Sequence, residues 1–113
     1  MSSLTEESCV ACRADAPRVT KDEYQTLMQK IPNWQLFSVD SVDRLKRTFK
    51  FENYSQAIEF SNKVGELAER EDHHPSILIE WGQVEINWWT HKIGGLHKND
   101  FISAAKTDLI FDS

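Results

Sequence analysis

Three of the four histidines in this 113-residue chain lie in two short motifs that could carry out proton-transfer chemistry. His73 and His74 are adjacent, between Asp72 and a proline, and His91 follows Thr90. An imidazole titrates near pH 6.5, so several around one pocket can hold both a proton donor and a proton acceptor at neutral pH. The pattern therefore indicates a general acid/base site. The alternative is a solvated His-His pair and an unrelated strand histidine.

A metal site is a second interpretation of the same histidines, because imidazole is a good zinc ligand and His-rich sites with an open position occur in hydrolases. Cys9 and Cys12 would add two thiolates, but one C-x-x-C pair without a second ligand pair is weak evidence. Manganese phosphoesterases also contain an Asp-His-His run, with further Asp motifs on a longer scaffold that this chain lacks. We therefore expect no metal ion, and we interpret the two thiols as a reduced dithiol without an assigned function.

The composition limits the classes of protein to which these motifs can belong. Hydrophobic residues make up 40% of the chain and charged residues 27%, which is typical of a single globular domain. The formal charge is -5 and the basic residues are scattered, which disfavours direct binding to nucleic acid. The longest apolar stretch, Ile77-Leu78-Ile79, is far too short to cross a bilayer, and the first twenty residues contain no apolar segment. We therefore expect a cytoplasmic protein that does not enter membranes.

Hydrophobic periodicity divides the chain into an N-terminal arm, residues 1–19, and one domain, residues 20–113. Thr20 and Glu23 form a capping-box pattern that predicts the start of a first helix. Asn53 predicts the cap of a second helix, whose apolar stripe runs to about Glu71. A last helix is predicted from about Lys98, with four inward residues: Phe101, Ile102, Ala105 and Leu109.

Two strand pairs are predicted between these helices. Alternating apolar residues from Trp34 to Phe51 indicate an antiparallel pair with a polar outer face. Ile77–Trp81 and Val84–Thr90 indicate a hairpin closed by a type II′ turn at Gly82-Gln83, a register that pairs Ile79 with Ile86, Ile77 with Trp88 and His74 with His91. The predicted fold is α+β, in the order α-β-β-α-β-β-α, with the helices packed on one face of a four-stranded antiparallel sheet.

Two residues outside the histidine motifs could assist them. Asp100 lies in the first turn of the last helix, where a carboxylate can cap the helix, orient a neighbouring imidazole, or do both. Trp89 shares the polar strand face with His91 in the predicted register and could stack on a flat heteroaromatic ligand. The other three tryptophans are expected in the core: Trp34, Trp81 and Trp88.

The combined pattern Glu69-x-x-Asp72-His73-His74-Pro75, then Thr90-His91, Gly95-Leu96 and Asp100, resembles the pterin-4a-carbinolamine dehydratases. The resemblance covers about residues 20 to 110 and is strongest to the short bacterial form found alongside phenylalanine hydroxylase. It implies a lyase that removes water from 4a-hydroxytetrahydrobiopterin to give quinonoid dihydropterin, and so recycles the pterin of aromatic amino acid hydroxylases. The pterin is then the substrate, with no other cofactor, and a homo-oligomer, dimer or tetramer, is implied. The competing hypothesis is a non-enzymatic dimerisation partner of another protein, because animal relatives also bind a transcription factor.

Carried over position by position, the resemblance also implies roles for individual residues. His74 would chiefly hold the pterin, while His73 and His91 would act as general acids on the 4a-hydroxyl from opposite faces. The remaining matched positions are substrate contacts at Asp72, Trp89 and Thr90, and supporting residues at Glu69 and Asp100.

The chain departs from the family pattern in three places. His97 stands where many relatives have Ser or Thr as the cap of the last helix, so either the imidazole caps less well or Asn99 takes over. Ser76-Ile77 replaces an acidic-aromatic pair of the animal forms, which puts the outer wall of the pocket in doubt. The arm with Cys9 and Cys12 has no counterpart in those forms.

Overall fold

The computed structural model describes Leu4–Glu6 and Val19–Ser113, in the predicted α-β-β-α-β-β-α order. Its elements are α1 (Lys21–Gln29), β1 (Gln35–Val39), β2 (Val42–Lys50), α2 (Tyr54–Glu71), β3 (Ser76–Glu80), β4 (Gln83–Trp88) and α3 (Lys98–Asp112). The strands form one antiparallel sheet in the order β1-β2-β4-β3. Short 3-10 turns span Leu4–Glu6 and His91–Ile93. The predicted fold class is confirmed.

The predicted N-terminal arm lies mostly outside the described residues, and so do Cys9 and Cys12. Of its described part, Leu4 is buried within the hydrophobic core. Val19 is also buried, and its backbone N–H donates to the carbonyl of Leu96 over 3.0 Å. At least these two residues of the arm therefore pack on the domain. The boundary between residues 19 and 20 stays a prediction.

Local side-chain caps start the helices where the sequence predicts. The Thr20 hydroxyl accepts from the backbone N–H of Glu23, and the Glu23 carboxylate accepts from that of Thr20 over 2.9 Å. The Asn53 side chain accepts from the backbone N–H of Gln56 over 2.8 Å. Both caps are confirmed, and each satisfies a helix N–H that has no partner within the helix.

The core lies between one face of the sheet and the three helices. Alternate residues of β2 and β4 are buried on that face: Leu45, Phe49, Val84, Ile86 and Trp88. The first half of α3 is buried from Asn99 to Ala105, which makes this helix the centre of the domain. Near its end, Asp108 accepts from the indole N–H of Trp34 over 2.9 Å and from Arg47 over 2.5 Å. The prediction that Leu109 faces inward is wrong, since this side chain is 58% exposed, while Ile110 and Phe111 are the residues of the last turn that pack on the core.

The register of the β3–β4 hairpin differs from the predicted one by two residues. The loop is Trp81-Gly82 rather than Gly82-Gln83, so Ile77 pairs with Ile86 and Ile79 with Val84. Gly82 has a φ of +73° at the second loop position, which suits glycine, and its carbonyl accepts from the backbone N–H of Phe51 over 2.8 Å. This contact with the end of β2 fixes the loop one residue earlier than the type II′ prediction.

The corrected register has two consequences. Trp81 occupies the tip of the loop and is 75% exposed, so its predicted place in the core is wrong, whereas Trp34 and Trp88 are buried as predicted. The predicted cross-strand pairing of His74 with His91 is also wrong: β3 begins at Ser76 and His91 lies in a 3-10 turn after β4.

Polar and apolar side chains mix on the outer face of the sheet. Lys46 and Glu85 form an ion pair there at 3.4 Å, while Phe37 and Leu78 are each more than 40% exposed. The predicted polar outer face is therefore interrupted by apolar residues. Within the described part of the chain, no helix combines the length and the apolar character needed to cross a membrane.

Candidate active site

The carboxylate of Asp100 is the centre of a buried hydrogen-bond network. One oxygen lies 2.6 Å from Nε2 of His73, and the other accepts from the Thr90 hydroxyl over 2.8 Å and from the backbone N–H of His97 over 2.9 Å. Asp100 has no exposed surface, and His73 and Thr90 are almost completely buried. The network joins three segments of the chain: the one after α2, the one after β4 and the one before α3. Asp100 therefore both caps α3 and orients an imidazole, two roles that the sequence left open.

The end of α2 turns His73 into the interior. Asp72 adopts a left-handed conformation, with φ 51° and ψ 43°, and so ends the helix, while the backbone N–H of His73 donates to the carbonyl of Ala68 over 3.1 Å. The His73 ring then stacks on Trp88, with centroids 5.4 Å apart and planes 19° from parallel. An ionised carboxylate only accepts hydrogen bonds, so Nε2 of His73 is the donor when Asp100 is ionised.

The other two predicted catalytic histidines are exposed. His74 lies beside Glu69, with its Nε2 2.8 Å from a carboxylate oxygen, and both side chains are largely exposed. His91 starts the 3-10 turn after β4, and its ring centroid lies 4.4 Å from that of Trp89. A backbone bridge between Thr90 and Gly95 closes this turn. The structure thus gives His74 and His91 separate partners.

The predicted substrate contacts differ in how far a ligand can reach them. Asp72 is exposed beside the histidine pair, and Trp89 is half-buried next to His91. The Thr90 hydroxyl donates to Asp100 from a buried position, so this side chain belongs to the network around Asp100. One face of Trp89 is covered by the guanidinium of Arg44, 3.9 Å from the ring centroid. Sequence reasoning missed Arg44, because only the pairing of β2 with β4 brings it beside Trp89.

His97 is itself the cap of α3. Its Nδ1 accepts from the backbone N–H of Asn99 over 3.0 Å, while Asp100 accepts from the backbone N–H of His97. The alternative that Asn99 takes over as the cap is therefore wrong. Burial lowers the pKa of His97; the charge of Asp100 opposes this effect and the nearby His73 adds to it. A lowered pKa agrees with the cap, because only a neutral imidazole can accept a hydrogen bond at Nδ1.

The cap at His97 predicts that the domain loses stability in mild acid. Since the pKa of His97 is lowered in the folded state, the unfolded chain binds the proton more readily, and stability falls as the pH drops below about 6.5. We expect His97→Ser, which caps equally well without titrating, to reduce this loss. Urea denaturation midpoints at pH 7.5 and 5.5 measure the effect. An equal drop in both proteins would contradict the assignment.

Metal ligands are not grouped in the described residues: nowhere in Leu4–Glu6 or Val19–Ser113 do three His, Cys, Asp or Glu side chains form a set that could hold a metal ion. Glu69 and Asp100 each bond one imidazole ring, and the two rings belong to different histidines. The side chains described at this site therefore offer hydrogen-bonding and proton-transfer groups.

Comparison with known proteins identifies relatives over nearly the whole chain. The family model described as pterin 4 alpha carbinolamine dehydratase matches residues 17–110. A relative from Marinobacter nauticus, assigned by name to pterin-4-alpha-carbinolamine dehydratase, is 58% identical over 111 residues, which is 98% of this chain and 100% of the relative. A relative from Nitrosococcus oceani with the same assigned name is 55% identical over 108 residues, 96% of each chain.

Solved structures share the fold. The crystal structure of a transcriptional coactivator/pterin dehydratase from Brucella melitensis is 30% identical, with a TM-score of 0.75, and the match covers 83% of this chain and 98% of that one. A pterin dehydratase-like protein, identified as a RuBisCO assembly factor in the alpha-carboxysome, is similar at a TM-score of 0.60 over 72% of this chain and 92% of that one. Its sequence is 22% identical, so this likeness concerns the fold alone.

Proposed function

Because this chain belongs to the pterin 4 alpha carbinolamine dehydratase family, we propose that it is a hydro-lyase that converts 4a-hydroxytetrahydrobiopterin to quinonoid dihydropterin and water. The observation that carries the proposal is the family match over residues 17–110, which includes every predicted site residue. The network around Asp100 supports it, because it gives one of the matched histidines a fixed orientation. The link to phenylalanine hydroxylase and a cytoplasmic location belong to the same proposal.

The proposed reaction needs an acid and a base but no electron carrier. The bond between C4a and the hydroxyl oxygen breaks, and the oxygen takes a proton and leaves as water. The proton on N5 departs, and a double bond forms between C4a and N5, so atoms and charge balance without oxidation or reduction. Imidazoles can serve as donor and acceptor for both proton transfers at neutral pH.

The proposed roles of the three histidines are those that the resemblance implies, and their contacts support them. His73 is held by Asp100 and by stacking on Trp88, so it is the preorganised acid. His91 is the exposed acid on the other face of the pterin, next to Trp89. His74, which Glu69 orients, holds the pterin, and Asp72 lies at the same end of α2. Thr90 supports the site through Asp100.

Stopped-flow measurement of the decay of a freshly generated 4a-hydroxypterin tests the proposal directly. The protein should accelerate the loss of the 4a-hydroxypterin absorbance in proportion to its concentration, relative to the spontaneous dehydration. Decay at the spontaneous rate would overturn the enzymatic proposal. It would favour the non-enzymatic alternative, a dimerisation partner of another protein.

Activity is expected to survive removal of metal ions, since we propose that the pterin is the substrate and that histidines alone move the protons. Exhaustive treatment with a chelator, followed by elemental analysis and the same stopped-flow assay, measures this. Stoichiometric zinc together with activity lost on its removal would support a Cys/His metal site instead.

A homo-oligomer is also part of the proposal. The outer face of the sheet exposes Phe37 and Leu78, and β1 and β3 are edge strands whose backbone groups can pair with another chain. We expect light scattering at micromolar concentration to give at least twice the chain mass of 13.1 kDa. A particle of the monomer mass would contradict this part.

A further inference from the structure

Three side chains form a stack at one end of the outer face of the sheet: Arg44, Trp89 and His91. The guanidinium carbon of Arg44 lies 3.9 Å from the centroid of the Trp89 ring, and the Trp89 and His91 centroids are 4.4 Å apart. Arg44 precedes Leu45, which pairs with Trp88, so one further step of this ladder places Arg44 beside Trp89. The β2–β4 pairing thus brings a planar cation to a residue that contacts a proposed acid.

Stacking is the interaction that holds the Arg44 side chain. Its Nε is buried and has no hydrogen-bond partner within the described residues, and no described carboxylate forms an ion pair with its guanidinium. Burial of an unpaired N–H is unfavourable, whereas a guanidinium over an indole is among the more favourable cation–π contacts. The conformation is therefore kept by the contact with Trp89.

Lys46 is a second basic residue on the outer face, and its contacts differ from those of Arg44. It lies two residues further along β2 on the same face, with its Nζ 4.6 Å from the Phe37 centroid and 3.4 Å from Glu85. Lys46 thus has a counter-ion and contacts a ring on β1, the neighbour of β2 on the side away from β4. The two cations share the strand and face, and Arg44 is the one that packs on the tryptophan next to His91.

We propose that Arg44 is a positioning residue for the dehydration, and that it acts through Trp89 to fix the ring of His91. This inference rests on the proposed function. His91 starts a 3-10 turn beyond the end of β4 and is exposed, so the sheet ladder does not hold its side chain. Because Arg44 packs on the indole and the indole contacts the His91 ring, holding Trp89 in place restricts the positions that the His91 ring can take, and proton transfer depends strongly on such geometry.

The first test measures the stack without reference to activity. In a proton NMR spectrum, the His91 ring protons, assigned by comparison with His91→Ala, should carry a ring-current shift from Trp89. Arg44→Ala should move these resonances toward their random-coil positions, Arg44→Lys should give an intermediate shift, and Lys46→Ala should leave them unchanged. Unchanged His91 resonances in Arg44→Ala would overturn the proposal, and so would equal changes in Arg44→Ala and Lys46→Ala.

The second test uses the separated 4a-epimers of the substrate. Arg44→Ala should lower kcat by about 10-fold for the epimer that His91→Ala slows, with little change in KM, and leave the other epimer unaffected. In a His91→Ala background, Arg44→Ala should have no further effect, and Lys46→Ala should match the original protein. Equal loss for both epimers, or loss that persists without His91, would overturn the positioning role. If the original protein gave no acceleration, the proposed dehydratase function would fail, while the NMR result would still decide whether Arg44 fixes His91.

Discussion

Replacing Asp100 by alanine is expected to lower the free energy of unfolding by about 3–5 kcal/mol, because each buried donor left without an acceptor costs about 1–3 kcal/mol. The change leaves three buried donors without their acceptor: Nε2 of His73, the Thr90 hydroxyl and the backbone N–H of His97. It also removes the carboxylate that completes the capping box of α3, the central helix of the domain. Urea denaturation at pH 7.5, with the midpoint and slope fitted together, measures the loss.

Two further variants make the Asp100 prediction specific. Asp100→Asn keeps the shape and one carbonyl acceptor, so it should lose less stability than Asp100→Ala but still lower turnover, because the His73 ring loses its charged partner. Asp112→Ala removes an exposed carboxylate from the other end of α3 and should change stability by less than about 0.5 kcal/mol. A loss below about 1 kcal/mol for Asp100→Ala would show that the network contributes little to folding.

The elements that the sequence predicts correctly are those encoded by neighbouring residues. Thr20 with Glu23, and Asn53 with Gln56, satisfy helix N–H groups three positions away, so the caps need no knowledge of the tertiary fold. The alternation along β2 and β4 likewise follows from burial of one face. For the same local reason, Asp100 could be predicted to cap the first turn of α3.

The hairpin register could not be obtained in the same way. Shifting a hairpin by two residues leaves every side chain on its original face, so the apolar pattern of Ile77, Ile79, Val84 and Ile86 is the same in both registers. The contact that selects the observed loop joins Gly82 to Phe51, more than thirty positions away in the chain. The error moved His74 opposite His91 and so predicted a pair that the fold does not contain.

The candidate site could be predicted by residue type but not by arrangement. The sequence identifies the three histidines and Asp100, while the division into one buried and two exposed imidazoles depends on how α2 ends at Asp72 and on the contact with Trp88. Arg44 is one of four basic residues in β2, and no local signal distinguishes it from Lys46. Only the pairing of β2 with β4 shows which cation meets Trp89.

Removing His73 and His91 together is expected to abolish the acceleration of dehydration by the protein. We expect His73→Ala and His91→Ala each to lower kcat by roughly 10²-fold or more for the 4a-epimer whose hydroxyl that histidine protonates, because each loses a general acid. The other epimer should react at nearly the original rate, so assays must use separated epimers. His74→Ala should instead raise KM as well as lower kcat, since this exposed residue is proposed to hold the pterin.

The buried position of His73 requires a second variant, because His73→Ala would also remove one of the three hydrogen bonds to the buried Asp100 carboxylate. His73→Gln can place an amide N–H near the position of Nε2, which preserves a donor to Asp100 while removing the titrating ring. We expect this variant to unfold at a higher urea concentration than His73→Ala and to show a similar loss of kcat. Recovery of activity along with stability would mean that His73 acts only by holding the fold.

His97 provides the control that separates catalysis from stability among the histidines. It is close to His73 and caps α3 through Nδ1, yet it is assigned no contact with the pterin. His97→Ala should therefore lower the urea midpoint while leaving kcat for both epimers close to the original values in the folded protein. His91→Ala should do the reverse, since an exposed ring in a turn contributes little to folding. If His97→Ala proved as damaging to turnover as His91→Ala, the site would have to be moved from the end of β4 to the start of α3.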